Sequence, residues 1–248
     1  MTTVLKLGGS VVTDKDDPET IDRVALDATV AAIAESGVSD LVVVHGGGSF
    51  GHHNAAEHGV TDVEGTHDAA GVLAIHDAMR ELNAAVVEAL QERDVPALPV
   101  HPLSTAHRDT DGKTTFPSGQ VEAMLGEGFV PVTHGDVVVQ AGEGATVLSG
   151  DEIVTRLAGQ LSADRVGLCT TVPGVLDGDD EVIDRIGDFE SVAEALGASD
   201  ATDVTGGMAG KVRALLALDT PATIFGPDDL TAFLEGDRPG TLVQRAEK

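Results

Sequence analysis

Basic residues are scarce in this chain of 248 residues: 15 Lys and Arg stand against 42 Asp and Glu, which gives a formal net charge of −27. Binding to nucleic acid or to an anionic membrane surface needs clustered positive charge, and the sequence contains no such cluster. We therefore expect neither partner. Large negative charge is a device of salt-adapted proteins, so we expect a halophilic source. Such a composition avoids lysine, which makes its five positions informative: Lys6, Lys15, Lys113, Lys211 and Lys248.

Cysteine, large aromatic residues and long apolar runs are also rare or missing. The one cysteine, Cys169, cannot form an internal disulfide, and no Cys/His spacing is typical of a structural zinc site. No apolar run approaches the roughly 20 residues that span a bilayer, and the first residues lack the pattern of a secretion signal. With 42% hydrophobic residues in patterned runs, the chain is expected to form a packed, cytoplasmic, globular protein.

Short apolar runs alternate with helical patterns along the whole chain. Strands are predicted at 4–7, 41–44, 97–100, 129–133, 137–140, 145–148, 166–171, 181–186, 222–225 and 241–243. Helices are predicted at 18–35, 49–58, 64–93, 151–161, 189–196, 206–218 and 228–234. This order predicts an α/β fold, a three-layer αβα sandwich around a largely parallel sheet. We expect a single domain over 1–248, with a softer division near 140–150.

Three glycine-rich loops follow predicted strands or begin predicted helices. They are Lys6-Leu-Gly8-Gly9-Ser10, His45-Gly-Gly-Gly-Ser-Phe-Gly-His52 and Thr205-Gly-Gly-Met-Ala-Gly-Lys211. Glycine lets backbone N–H groups converge on one point, and a following helix adds its positive N-terminal end, so each loop suits a phosphate. Because ligands of parallel sheets lie at the carboxyl ends of the strands, we expect the three loops to form one polyphosphate site.

Two common nucleotide motifs fit these loops poorly. The spacing Gly46-x-Gly48-x-x-Gly51 matches the dinucleotide fingerprint, but the acidic residues at the required distance fall at the start of a helix and not at the end of a strand. The P-loop pattern fails after Lys211, because Val212 replaces the hydroxyl residue that binds the metal. An NAD-linked oxidoreductase and a P-loop enzyme are therefore disfavoured.

Taken together and in order, these motifs resemble the amino acid kinase family. The resemblance rests on the three loops and on Ser149-Gly150-Asp151 before a helix, and it extends from residue 4 to residue 243. Two segments, 8–15 and 45–52, resemble the isopentenyl phosphate kinase branch, and His52 is the more specific mark. The resemblance implies phosphorylation of isopentenyl phosphate by ATP with Mg²⁺, in isoprenoid synthesis by the mevalonate pathway. It also implies a homodimer.

The resemblance further implies a role for each loop residue. Lys15, His52 and Lys6 are implied as catalytic, and His52 with Gly47 and Gly150 as the site of the acceptor monophosphate. The nucleotide side is implied to comprise Lys6, Gly8, Gly9, Ser10, Gly48, Asp151, Thr171, Gly207 and Lys211. No side chain is expected to bind a metal. The acceptor is expected on the part at about 1–145 and the nucleotide on the part at about 146–248.

Two features of the sequence bear on specificity. The segment Thr170-Thr171-Val172-Pro173 stands where the family often has an Asp-x-Asp-Gly turn, so the nucleoside contacts differ from that pattern. An isoprenoid tail needs an apolar slot, for which the candidates are Val72, Ile75, His76, Met79, Phe50 and Phe116. The remaining histidines, including His101, His107 and His134, are expected to be structural or exposed.

Other functions stay open on the residues alone. The same fold could phosphorylate an amino-acid carboxylate, a phosphonate or a nucleoside monophosphate, or it could bind nucleotide without catalysis. Phosphoryl transfer needs positive charge between two anionic groups. Three of the five lysines, Lys6, Lys15 and Lys211, fall in or beside phosphate-type loops, which favours a catalyst over a binding protein.

Overall fold

The structure is a computed structural model that describes residues 1–197 and 207–245. Its main sheet has eight strands in the order β10-β12-β11-β9-β1-β2-β6-β3. Six of them, from β11 to β3, run parallel, and β12 is antiparallel to β11. The strands are β1 (Thr3–Leu7), β2 (Leu41–His45), β3 (Ala97–Val100), β6 (Val130–His134), β9 (Arg165–Cys169), β10 (Arg185–Ile186), β11 (Ala222–Phe225) and β12 (Thr241–Val243).

Helices cover both faces of this sheet. They are α1 (Gly9–Val12), α2 (Arg23–Ser36), α3 (Gly48–Glu57), α4 (Ala69–Gln91), α5 (Gly119–Gly126), α6 (Gly150–Gln160), α7 (Ala193–Gly197), α8 (Gly207–Leu216) and α9 (Leu230–Glu235). Two single 3₁₀ turns lie at Pro102–Ser104 and Pro227–Asp229. Among the residues described, no helix is both long and apolar enough to cross a membrane.

The core of the main sheet forms two layers, because every residue of β1, β2 and β6 is buried on one face or the other. In β2, Leu41 and Val43 pack with α2, α4 and α9, whereas Val42 and Val44 pack with α5, α6 and α8. Alternate side chains of a strand point to opposite faces, so an unbroken apolar run is what a sheet covered on both sides requires. The predicted three-layer α/β architecture is confirmed.

A second, smaller sheet has the order β5-β4-β7-β8, formed by β4 (His107–Arg108), β5 (Thr114–Thr115), β7 (Asp136–Gln140) and β8 (Gly144–Leu148). The hairpin of β7 and β8 agrees with the prediction, and Gly142 and Gly144 adopt positive φ in its turn. The elements β4, β5, α1 and α5 are not predicted from the sequence. Strands of two residues are too short to show an alternating pattern.

Several predicted boundaries were wrong. The second helix begins at Arg23 and not at 18, because the carboxylate of Asp22 accepts hydrogen bonds from the N–H groups of Val24 and Ala25 and caps the helix there. The long helix likewise begins after Asp68 and not at 64. The predicted strand at 181–186 is reduced to Arg185–Ile186, and the helix predicted from 189 begins at Ala193.

Candidate functional site

The carboxyl ends of the central strands open into a cavity of about 690 Å³. Loops after β1, β2, β6 and β9 contribute to its wall, as does the N-terminus of α6. Most of the residues predicted from the sequence line it: Lys6, Gly8, Gly9, Ser10, Lys15, Gly47, Gly48, His52, Gly150, Asp151, Thr171 and Lys211. The structure therefore brings the separate motifs together at one place.

The third loop is described only in part. Gly207 begins α8 with a φ of 54°, and it is not one of the described residues that line the cavity. Thr205 and Gly206 of the same motif lie outside the described residues. Lys211, one turn into α8, does reach the cavity.

The first two loops pack backbone against backbone. A Cβ on Gly9 would collide with the backbone of Gly48, and a Cβ on Gly46 would come within 2.7 Å of the N atom of Gly9. Gly48 also has a φ of 49°, a conformation that favours glycine. The glycines are thus required by the contact of the two loops, which sets the first residues of α1 and α3 side by side. The leading N–H groups of a helix have no partner within the helix and suit an anion.

Asp151 joins two of the predicted lysines. Its Oδ1 accepts a hydrogen bond of 2.7 Å from Lys6 Nζ, and its Oδ2 lies 3.6 Å from Lys211 Nζ. Burial alone would raise the pKa of the Asp151 carboxyl, but the two ammonium groups outweigh it and hold the pKa below the usual value. The carboxylate therefore stays ionised and fixes two positive charges at the cavity wall, although β1 and α8 are far apart in sequence.

Lys15 and His52 lie at the same cavity on exposed positions. Lys15 follows α1, and His52 belongs to α3, whose first turn begins at Gly48. Within the part of the chain that is described, no hydrogen bond or ion pair holds the ammonium group of Lys15. An exposed lysine beside a cavity can follow a phosphate group as that group moves.

Aliphatic side chains line another part of the cavity wall. They are Ala55, Ala56, Val60, Ile75, Met79, Val147 and Leu148. Ile75 and Met79 agree with the prediction for an apolar slot. Phe50 and Phe116 do not, because both are buried in the core instead. Val72 and His76 are also absent from the cavity lining, and Nδ1 of His76 lies 2.9 Å from an oxygen of Asp136.

Two side-chain pairs, one at the cavity wall and one near it, are not predicted from the sequence. Asp136 lines the cavity beside Gly135 and forms a buried hydrogen bond with His76. The second pair includes Arg108, buried in β4, whose guanidinium donates to Glu152 Oε2 at 2.6 Å, one residue beyond Asp151. Both pairs join residues more than 40 positions apart, so no local pattern indicates them. The one available signal was the sequence Gly135-Asp136 directly after a predicted strand, which could have indicated that Asp136 lies at the site.

The segment that departs from the family pattern borders the cavity as well. Thr170, Thr171 and Val172 are among the lining residues, and Thr170 Oγ1 donates to the carbonyl of Val172 at 3.0 Å. Hydroxyl and carbonyl groups thus replace carboxylates along this edge.

The chain is similar to known proteins over nearly its whole length. The amino acid kinase family model matches residues 1–219. An isopentenyl phosphate kinase of Haloferax volcanii is 62% identical over 242 residues, covering 97% of this chain and 98% of that protein. One of Methanothermobacter thermautotrophicus is 35% identical, with coverages of 87% and 86%. A solved structure of isopentenyl phosphate kinase has a TM-score of 0.84 at 29% identity, over 98% of this chain and 100% of the other.

Proposed function

Because the chain belongs to the amino acid kinase family and to its isopentenyl phosphate kinase branch, we propose that it transfers the γ-phosphate of ATP to isopentenyl phosphate. The product is isopentenyl diphosphate. The observation that carries this proposal is the group Lys6–Asp151–Lys211 in the same cavity as a wall of aliphatic side chains. Such a cavity suits an acceptor that has a phosphate at one end and a hydrocarbon at the other.

The proposed division of the site follows the order of the chain. The part at about 1–145 supplies the acceptor site through Gly47, His52 and the aliphatic wall, with Gly150 at the boundary. The part at about 146–248 supplies the nucleotide site through Asp151, Thr171, Gly207 and Lys211. Lys6 to Ser10 and Gly48 join the nucleotide side from the first part, since their loops meet at the sheet edge.

The proposed chemistry is a direct transfer. An oxygen of the acceptor phosphate attacks the γ-phosphorus, a new P–O bond forms, and the bond to the ADP oxygen breaks with the electron pair leaving on that oxygen. Phosphoryl transfer of this kind depends mainly on position and on neutralised charge. Lys15 stabilises the group in transit, and Lys6 and Lys211 neutralise the donor phosphates. His52 donates to the acceptor phosphate, which is already an oxyanion and needs no general base.

Magnesium enters the proposal as part of the substrate Mg–ATP. Within 1–197 and 207–245, no group of three or more His, Cys, Asp or Glu side chains suits a metal ion. Asp151 is engaged by two lysines, which leaves its carboxylate poorly suited as a metal ligand. Mg²⁺ commonly keeps several waters and binds through substrate phosphates, so phosphate oxygens of ATP are the proposed ligands here.

The setting of the reaction is proposed on the same basis. We infer a cytoplasmic homodimer that acts in isoprenoid synthesis by the mevalonate pathway of a halophilic cell. The net charge of −27 supports the halophilic assignment, because salt screens repulsion between surface carboxylates. We expect activity to rise as the salt concentration approaches the molar range. Full activity and stability in dilute buffer would contradict the halophilic assignment but not the proposed kinase activity.

The test is a product assay with the purified chain in high salt. Mg–ATP and isopentenyl phosphate should yield ADP and isopentenyl diphosphate in equal amounts, identified by phosphorus NMR and mass spectrometry. Absence of the diphosphate, with another acid phosphorylated instead, would overturn the proposal. A Lys113→Ala variant is the matched control, because Lys113 is exposed and lies outside the cavity.

A further inference from the structure

Four histidines form a cluster behind the wall of the cavity. His45 and His134 are register partners at the ends of β2 and β6, both fully buried, with their rings stacked at 5.5 Å between centroids. The ring of His101 lies 5.3 Å from that of His134, and His76 lies edge-on to His101 at 6.0 Å. None of these four side chains is among the described residues that line the cavity.

The hydrogen bonds of His134 run in one direction. Its Nδ1 lies 2.9 Å from the carbonyl oxygen of Gly135, which can only accept, so Nδ1 carries the proton. In a neutral ring Nε2 then accepts. The partner of Nε2 is Nδ1 of His101 at 2.9 Å, and that nitrogen must therefore be the donor. His101 donates to His134, which donates to Gly135.

The series of hydrogen bonds continues, with the same donor-to-acceptor direction, into β2 and β1. The N–H of Gly135 donates to the carbonyl of His45 at 3.0 Å, and Nδ1 of His45 lies 3.1 Å from the carbonyl of Gly46. The N–H of Gly46 in turn donates to the carbonyl of Leu7 at 2.9 Å. One chain of hydrogen bonds thus connects the ends of β6, β2 and β1, and Gly46 and Gly135 both line the cavity.

We propose that His134, His45 and His101 are positioning residues for phosphate transfer, which hold the Gly46 and Gly135 peptides in place through neutral imidazoles protonated on Nδ1. This inference rests on the proposed function for its catalytic part. A glycine peptide has no side chain to restrain its rotation, and preorganised backbone groups are worth more to catalysis than mobile ones. Gly135 also packs against Gly150, a proposed acceptor residue: a Cβ on Gly135 would lie 3.2 Å from the N atom of Gly150.

The surroundings of the cluster keep the rings neutral. Burial lowers the pKa of His45 to about 4 and lowers that of His134 well below the usual value, with His45 itself adding to the effect on His134. Burial, His76 and the guanidinium of Arg80 lower the pKa of His101, and only Asp136 opposes them. Stacked rings at these distances cannot hold two positive charges.

Asn83 of α4 fits the same proton arrangement once its carboxamide is turned by half a turn. Its carboxamide oxygen lies 3.1 Å from Nε2 of His45, and its NH₂ group has no partner among the residues that the structure describes. With the proton of His45 on Nδ1, Nε2 is an acceptor, so half a turn of the carboxamide pairs Nε2 with the NH₂ group. Asn83 thereby becomes a donor at the end of the cluster.

The first test is spectroscopic and needs no substrate. Nitrogen-15 NMR of the imidazoles in the wild-type protein should show the Nδ1–H form for His45, His101 and His134 near neutral pH. A His134→Asn variant assigns the signals of that residue by their loss. The Nε2–H form or an imidazolium at His134 would overturn the proposal.

The second test separates positioning from stability. His134→Leu removes both hydrogen bonds, whereas His134→Asn keeps a donor near the position of Nδ1. His134→Leu should lower kcat by about tenfold or more and leave ATP affinity within about twofold, and His134→Asn should recover most of kcat. Equal kcat in the two variants, or a parallel loss of ATP affinity in His134→Leu, would contradict the proposal.

A matched control accounts for lost packing. Val30→Ala in α2 removes buried volume in the core, away from the cluster, and should lower the unfolding midpoint without lowering kcat. The loss of kcat is compared with the loss of unfolding midpoint in both variants. If the ratio of the two losses is the same for Val30→Ala as for His134→Leu, the role of His134 is structural only. If the wild-type chain does not phosphorylate isopentenyl phosphate, the proposed function fails, while the NMR result still decides whether the imidazoles carry their protons on Nδ1.

Discussion

Asp151 and Lys6 form the short ion pair around which the site is built: Oδ1 of Asp151 accepts from Lys6 Nζ at 2.7 Å, and both side chains are largely buried. The second carboxylate oxygen faces Lys211. Two like charges that would repel each other are thereby held at one end of a cavity in a protein with very few lysines. Under the proposed function, the carboxylate acts on ATP through these lysines, as a positioning residue.

Replacing Asp151 with Asn tests this arrangement. The variant keeps the size of the side chain but removes the carboxylate charge from between two largely buried ammonium groups, so kcat/KM should fall by about 100-fold or more. Steady-state kinetics with Mg–ATP measures the change. Asp111→Asn, an exposed change of the same chemistry, is the control and should leave kcat/KM unchanged. An Asp151→Asn enzyme of normal efficiency would show that the lysines hold their places without it.

Lys15→Ala separates catalysis from binding. Because the Lys15 side chain is exposed at the cavity and is proposed to follow the group in transit, kcat should fall by about 100-fold while the Kd of ATP stays within about twofold. Isothermal titration gives the Kd and single-turnover kinetics gives the chemical rate. Unchanged turnover would remove Lys15 from the mechanism. A parallel loss of ATP binding would make it a nucleotide ligand instead.

His52→Ala tests the acceptor phosphate site. If His52 donates to the monophosphate, the alanine variant should lose activity on isopentenyl phosphate by about 100-fold and keep its ATP affinity. His53→Ala is a close control, since His53 is the neighbouring exposed histidine on α3 and does not line the cavity. Equal activities of the two variants would contradict the assignment of His52.

The buried state of His45 predicts a pH-dependent stability. The pKa of His45 is lowered from 6.5 to about 4 in the folded chain. Between about pH 6.5 and about pH 4, the unfolded state therefore binds a proton at this residue, whereas the folded state does not. Acidification from about pH 6.5 to about pH 4 should therefore lower the free energy of unfolding by about 3 kcal/mol relative to its value at neutral pH. Urea unfolding of wild type and His45→Asn over this pH range isolates this contribution as a difference. Parallel curves for the two proteins would contradict it.

Local motifs account for what could be predicted from the sequence. Two of the glycine-rich loops, Lys6-Leu-Gly8-Gly9-Ser10 and His45 to His52, lie at the carboxyl ends of buried strands. The strand pattern therefore predicts both that these segments are loops and that they lie at the same edge of the sheet, beside the cavity. The slot residues Ile75 and Met79 were predicted from helical spacing, but the same spacing also chose Val72 and His76, which do not line the cavity. Spacing along a helix does not tell which of its buried faces meets a cavity.

Long-range contacts account for most of what the sequence analysis missed. Asp136 and His76 are 60 positions apart, and Arg108 and Glu152 are 44 apart, so no local pattern joins them. The histidine cluster depends on strand order as well, because His45 and His134 become neighbours only when β6 pairs with β2. The capping carboxylates of Asp22 and Asp68 were visible in the sequence, but the residues before them are equally compatible with a helix.

The most direct test of the central claim is a comparison of acceptors at fixed Mg–ATP in high salt. The kcat/KM of the wild-type chain is measured for isopentenyl phosphate, N-acetylglutamate, aspartate and uridine monophosphate. The proposed function predicts that the kcat/KM for isopentenyl phosphate exceeds that for each of the other three by about 1,000-fold or more, because only isopentenyl phosphate would place a phosphate beside His52 and a hydrocarbon against the aliphatic wall. A higher kcat/KM for any of the other acceptors would contradict it.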